Sequence, residues 1–454
     1  MASANNNVRK YGAVSTVWQW VHREILSRRF IRDVGILTGA NFFNAVLSFI
    51  QGILVARWLG PELYGVAALV MSYPGLVYAF FDARSAEASV KYLSEFHARG
   101  ERDRILAMCK LGYMVDLAIA LLAFFVVLFT AHWAACRIVH RPETAALIIL
   151  YSAAFLPRVF TGTSYAVLAT LGRFPTVAWL DTVSTLLRVV TVIVLVLLGW
   201  QVSGVIWGNA IALAVTGISY GAVAYTLIRR VWGASWLRGS SGALKGRRRE
   251  IFGFLLYNNL NALLGMIPKQ LDVVLLGYFR NPTEIGYYKL AKSLSGAVGY
   301  IVGPLQSVTY PELARLWGLG DTRALRQKVR RLALQVGTPL GFAVLGVIPL
   351  TPILLSLLVG RAYLPAAGAT QIFLIGSASW LVLFWLRPLF LASNKVDLLT
   401  MSNVIALFLM VPILPLSVHL GGYIGVSVWS IILGFLNFGI LITINAAKNK
   451  RRRQ

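Results

Sequence analysis

The sequence predicts an all-α integral membrane protein, with about twelve transmembrane helices in two pseudo-symmetric six-helix lobes around a central cavity. Three observations predict it. The 454 residues are 57% hydrophobic and only 13% charged, with a mean hydropathy of +0.70, too apolar for a soluble domain. Apolar stretches of about twenty residues recur along the chain, and they are continuous where a membrane barrel would alternate every second residue. The third observation is a corner written twice: "VARWLGPELYG" at 55–65 and "LGYFRNPTEIGYY" at 276–288 share a Pro-x-x-x-Gly core. Pro61 and Gly65 stand 221 positions before Pro282 and Gly286.

The elements follow in order. The first six apolar windows fall near 33–57, 63–88, 105–130, 144–169, 176–199 and 203–228. The second six fall near 251–279, 284–311, 332–358, 366–392, 397–419 and 423–446. Between them, 229–250 mixes Gly, Ser and basic residues and reads as a linker. The expected organisation is a basic segment at 1–32, an N-lobe at 33–228, the linker at 229–250, a C-lobe at 251–446 and a basic tail at 447–454. An offset of about 221 recurs elsewhere: "SGVIWGNAI" from Ser203 matches "IGVSVWSII" from Ile424 at 221, and the turn from Val167 matches that from Leu389 at 222. Six helices per repeat means both lobes enter the membrane in the same direction, an arrangement typical of alternating-access transporters. The four corner residues Pro61, Gly65, Pro282 and Gly286 are candidate gate elements.

The net charge of +26 is a matter of location. With the N-terminus inside, the segments at 9–32, 91–104, 229–250, 315–331 and 448–453 carry most Lys and Arg. The opposite loops hold only Arg57, Arg137, Arg141, Arg280 and Arg361. This bias places both termini in the cytoplasm, and the charge reports orientation and contact with anionic lipid, not nucleic acid. Cys109 and Cys136 lie in or beside apolar segments, so no disulfide framework is expected. The first thirty residues lack a short apolar core with a small-residue cleavage site, so no cleaved signal peptide is expected. Nucleotide, metal and nucleophile motifs are missing, and the five histidines sit at span ends or in loops; no cofactor, no metal and no enzymatic activity are expected.

"ARWLGPELYG", "FFDARSAEASVKYLSEF" and "QLDVVLLGYFRNPTEIGYYKLAKSL" resemble the polysaccharide transporter family over about residues 30–446. These are Wzx-type lipid-linked oligosaccharide flippases of the multidrug/oligosaccharidyl-lipid/polysaccharide exporter superfamily. The resemblance implies two six-helix lobes around a cavity in a bacterial or archaeal inner membrane. It also implies a polyprenyl-diphosphate-linked glycan as substrate, for cell-surface polysaccharide biosynthesis, with a polysaccharide polymerase and chain-length machinery as partners beside membrane lipids. The chain is expected to act as a monomer. One departure is visible: where the family's second helix commonly ends Asp-x-Gly, "FDAR" puts Arg84 at the glycine position.

Ionisable residues at membrane depth are costly, so each is a functional candidate or half of a pair. Arg158 and Arg188 lie near mid-span, where a guanidinium faces a wet cavity or a structural partner such as Asp181. Arg387 precedes Pro388, whose kink would open its helix. Lys269 and Asp272 are three apart on one face, which fits either substrate contact, ion coupling or a local salt bridge. Lys289 and Lys292 share a face, and Arg84 shares one with Glu87. The cation excess suits an anionic headgroup, because a guanidinium fork binds phosphate oxygens in pairs. The rival readings are a multidrug or cation antiporter of the same superfamily, a membrane glycan polymerase or ligase, and a scaffold for assembly enzymes.

Overall fold

The computed structural model describes residues 28–451, except 83–84, 234–235 and 394. Arg84 therefore lies outside the described residues, as do residues 1–27 of the basic N-terminal segment. Helices run in the order α1 (Arg28–Phe81), α2 (Ser85–Ala98), α3 (Arg102–Ala134), α4 (Ala145–Ala153), α5 (Phe155–Thr170), α6 (Phe174–Leu195) and α7 (Gln201–Trp232). After short turns come α8 (Arg248–Phe279), α9 (Pro282–Gly296), α10 (Gly299–Gly318), α11 (Thr322–Arg331), α12 (Thr338–Val347), α13 (Thr351–Leu358), α14 (Ala367–Val382), α15 (Leu386–Ala392) and α16 (Val396–Arg451). No strand occurs among the described residues. The chain is an all-α, multi-pass membrane protein.

Six helical segments among the described residues are long and apolar enough to cross a membrane, or seven if the bent pair Thr322–Val347 and Thr351–Leu358 is one span. Three of them, of 47, 59 and 45 residues, exceed the roughly twenty residues one crossing needs. Each of the three is interrupted by left-handed backbone. Gly60 has φ 72° in α1, Gly199 has φ 87° and Gln201 φ 44° before α7, and Gly422 has φ 54° in α16. The last two breaks repeat the sequence offset in the backbone itself. Gln201 (φ 44°, ψ −123°) and Gly422 (φ 54°, ψ −139°) hold nearly the same unusual conformation 221 positions apart.

The duplicated corner has a physical purpose. Pro61 follows left-handed Gly60, and Pro282 starts α9 behind Asn281, whose side chain accepts a hydrogen bond from the Glu284 amide at 3.0 Å. The two corners then cross each other. A β-carbon on Gly65 would overlap the Pro282 carbonyl, and one on Gly286 would overlap the Pro61 carbonyl. Backbone thus meets backbone where α1 and α9 cross, a contact that only glycine permits. The largest apolar core surrounds this crossing, joining Val66–Val70, Ile138 and Val139 of the first half to Val273–Leu276, Ile285 and Val426 of the second. Polar ties between the halves lie at the same end. Tyr363 donates to the Ala56 carbonyl at 3.0 Å, and His140 to the Gly277 carbonyl at 2.9 Å. We call this the corner end, and the opposite one the linker end.

The linker departs from expectation. Helix persists to Trp232 and resumes at Arg248, so the non-regular stretch is shorter than 229–250. It is also docked, although its Gly/Ser content suggests a free tether. The Trp236 ring lies 4.8 Å from that of Tyr113, tilted at 47°, Leu244 is buried, and Gly239 fits against the Leu106 carbonyl. Apolar anchors spaced through the loop override its composition. At its end Arg247 bonds Glu95 of α2 and donates to Glu250 at 2.9 and 3.0 Å, while Tyr92 donates to Glu250 at 3.2 Å. The hydrogen bond from Arg247 holds the Glu95 carboxyl below its ordinary 4.5. A depressed acid stabilises above its unfolded value and releases as pH falls through its folded one. Arg247→Ala should therefore lengthen the distance between spin labels on α2 and the linker at neutral pH. The wild type should show the same lengthening only at acid pH, below the ordinary glutamate range; an unchanged distance in both would show that Arg247 does not hold the linker.

Candidate functional site

The principal cavity, of about 730 Å³, lies on the linker side of the crossing and is walled by α1, α2, α3, α4 and α5. The second half adds Val273 from α8 and Lys289 from α9. Tyr78 fixes its wall: its hydroxyl lies 3.1 Å from the Ala120 carbonyl and 3.3 Å from that of Ser152, and its ring stacks on Phe155 at 4.2 Å. Pro157 and the glycine at 217 draw α5 and α7 together, because a β-carbon at Gly217 would overlap the Pro157 carbonyl. That contact presents the opposite face of α5, with Arg158, to the cavity.

Arg158 is exposed in the cavity, lies 5.6 Å over the Phe155 ring and makes no ion pair among the described residues. Arg188 is half-buried. It bonds Ser48 Oγ, whose own hydroxyl donates to the Asn44 carbonyl, and its buried Nε has no partner. Tyr151 also lines the cavity. Asp181 is not the partner of either arginine: it accepts a hydrogen bond from Tyr220 at 2.7 Å. The reason is helical geometry, since seven residues separate Asp181 and Arg188 by about 10 Å of rise.

The second half's charges sort differently. Asp272 is 3% exposed and is held by Lys292 and by the Tyr288 hydroxyl at 2.6 Å. The cation that the structure places on Asp272 comes from the neighbouring helix. The Lys269 side chain lies outside the described residues. Lys289 faces the principal cavity, while Lys292, one turn along, turns to Asp272. Arg387 lines a different cavity, described below.

The cavity also has an acid side, whose residues the sequence marked as acids at membrane depth without giving them a place in the site. Asp116 of α3 receives Ser85 Oγ and lies 3.4 Å from Thr163 Oγ1, and Asp82 and Glu87 line the same space. Its signal was present, as the one acid in the apolar run after Tyr113. With 1.5 Å of rise per residue, Lys289 lies about 10 Å from its corner and Arg158 about 24 Å, whereas Asp82 and Asp116 lie about 31 and 35 Å away. Cations therefore occupy the deep part of the cavity, and acids its linker side.

The bundle thus has a crossing at one end and a charged cavity below it. Its fold is shared with an inward-facing multidrug resistance MATE family transporter of the MOP superfamily, with TM-score 0.68, 15% identity, and 90% of this chain and 96% of that one covered. It is shared too with the lipid II flippase MurJ in an inward closed conformation, with TM-score 0.70, 15% identity and coverage of 90% and 87%. The Vibrio cholerae MATE transporter VcmN in its bent form matches at TM-score 0.52 and 17% identity over 92% and 99%. The profile of the polysaccharide biosynthesis protein family matches residues 30–317, and the chain belongs to that family. No curated protein sequence matches it.

Proposed function

We propose that the protein is a non-enzymatic flippase that carries a polyprenyl-diphosphate-linked oligosaccharide from the cytoplasmic to the outer face of the inner membrane by alternating access. The observation that carries this reading is two guanidiniums of the first half, Arg158 in the cavity without an ion pair among the described residues and Arg188 with an unbonded buried Nε. A diphosphate supplies the paired oxygens such forks bind. Lys289 adds a third cation toward the corner end. In this reading the N-lobe and C-lobe cross the membrane six times each, the corner end is outermost, and both termini are cytoplasmic. The membrane potential can drive the cycle, because each charge moved is worth about 2.3 kcal/mol per 100 mV.

A second reading rests on Asp82, Glu87 and Asp116, since acids in a cavity suit export of an organic cation. Reconstituted vesicles separate the two. Protein-dependent movement of a fluorescent prenyl-diphosphate disaccharide, with no ethidium movement, is the expected result. Ethidium movement with the glycolipid immobile would overturn the flippase reading.

A further inference from the structure

The geometry points to a second binding site, for sugar units, in the cavity of about 870 Å³ between α14, α15 and the two arms of α16. It rests on the flippase reading, and it places part of the glycan there, away from the guanidiniums of the first half.

The cavity exists because the two halves of the repeat depart from each other at this place. In the first half, α7 lies tightly on α5: Gly217 meets the Pro157 backbone and Gly221 meets the Phe160 ring. Tyr220 closes the remaining space with its hydrogen bond to Asp181. At the same offset of 221, the second half replaces Gly217 by Phe438, Tyr220 by Leu441 and Asp181 by Ser402. A phenylalanine where a glycine allows backbone contact holds the helices apart, and the lost tyrosine–aspartate bond leaves the gap unfilled. All three replacement residues line the cavity.

Its chemistry selects an occupant. Asn437 Nδ2 lies 3.2 Å from Asn403 Oδ1, which leaves the buried Asn437 Oδ1 without a partner. An orphaned buried acceptor costs about 1–3 kcal/mol, and a ligand hydroxyl would satisfy it. Trp380 and Phe435, both partly exposed, line the same space. Among the described residues none of the lining ones is acidic, which disfavours an organic cation, and Arg387 is the one cation, where a diphosphate would draw several. An acyl chain would leave the amides unbonded. Aromatic faces, amides and hydroxyls together fit a pyranose, with Arg387 placed for one sugar carboxylate. The volume is that of a small-molecule site.

The test uses the full chain in detergent, with methyl glucoside, methyl galactoside, methyl N-acetylglucosaminide and glucuronate as probes in saturation-transfer NMR, and farnesyl diphosphate as the phosphate probe. Gly434→Leu fills the cavity without touching backbone, because nothing lies within 4 Å of the β-carbon position. Asn437→Leu removes the orphan acceptor. At least one glycoside is expected to bind, and each variant should weaken it by about five-fold or more, equivalent to one lost hydrogen bond. Farnesyl diphosphate binding should be unchanged in both. A glycoside that binds all three proteins alike overturns the site, as does farnesyl diphosphate binding with no glycoside binding at all; the flippase reading survives either result. Co-purified phospholipid that is lost in Gly434→Leu would make this a lipid pocket and also overturn it. If neither farnesyl diphosphate nor glycolipid is bound or moved, the flippase reading fails first.

Discussion

Arg158→Ala is expected to abolish glycolipid transport in vesicles while leaving the amount of protein in the membrane unchanged. The side chain faces the cavity and stabilises nothing by ion pairing among the described residues, so its removal empties a site without breaking a fold contact. Two charge-assisted hydrogen bonds to a phosphate, at about 1.5–3 kcal/mol each, correspond to a loss of a hundred-fold or more in binding. Arg188→Ala should act similarly, with a smaller effect on protein yield than on transport, because its Ser48 bond is one neutral contact. Lysine at either position keeps the charge and loses the planar fork, so rescue should be partial. Full transport by both alanine variants would make these arginines structural and remove the basis of the anionic site.

The second large effect concerns the crossing of the corners. Alanine for glycine inside a helix ordinarily stabilises by about 1 kcal/mol. At Gly65 and Gly286 the sign should reverse, because the new β-carbon would overlap a carbonyl of the other half and something must move. Gly65→Ala and Gly286→Ala should each slow transport by at least about ten-fold, the equivalent of a steric cost near 1.4 kcal/mol in the closed corner. Gly52→Ala, with open space at its β-carbon position, is the control and should transport normally. Cysteines at Glu62 and Thr283, in a background lacking Cys109 and Cys136, should crosslink with reagents of graded length and block transport reversibly. The yield with the shortest reagent should fall in Gly65→Ala. Crosslinking at every length with full transport would mean that the corners pack together without gating.

Much of the fold was legible in the sequence, and the reasons are local. A run of apolar residues must become helix in lipid, since each backbone group needs an internal partner, and so the windows found their helices. Proline and glycine then marked the breaks at Gly60, Gly199 and Gly422. The break between α9 and α10 was not legible, because it falls inside an apolar window with no proline at the break; that between α14 and α15 lies one turn before Pro388, where the sequence marked a kink. The composition of the linker marked it between the helices, while its few apolar side chains decided where it lies.

The site divides along the same line. The sequence by itself singled out the ionisable residues that fall inside apolar windows and showed that one corner occurs twice, because apolar runs and chain reversal depend on residues close in the chain. Only the tertiary structure decided which charge meets which. Lys292 pairs with Asp272 from a neighbouring helix, and Tyr220 takes Asp181. Arg158 is left facing a cavity whose linker side holds Asp116. The two glycines of the repeated corner meet each other's prolines only because α1 and α9 cross there. Pairing energies fall steeply with distance, and the distances between helices are set by side-chain volumes such as Phe438 against Gly217, which no single stretch of sequence contains.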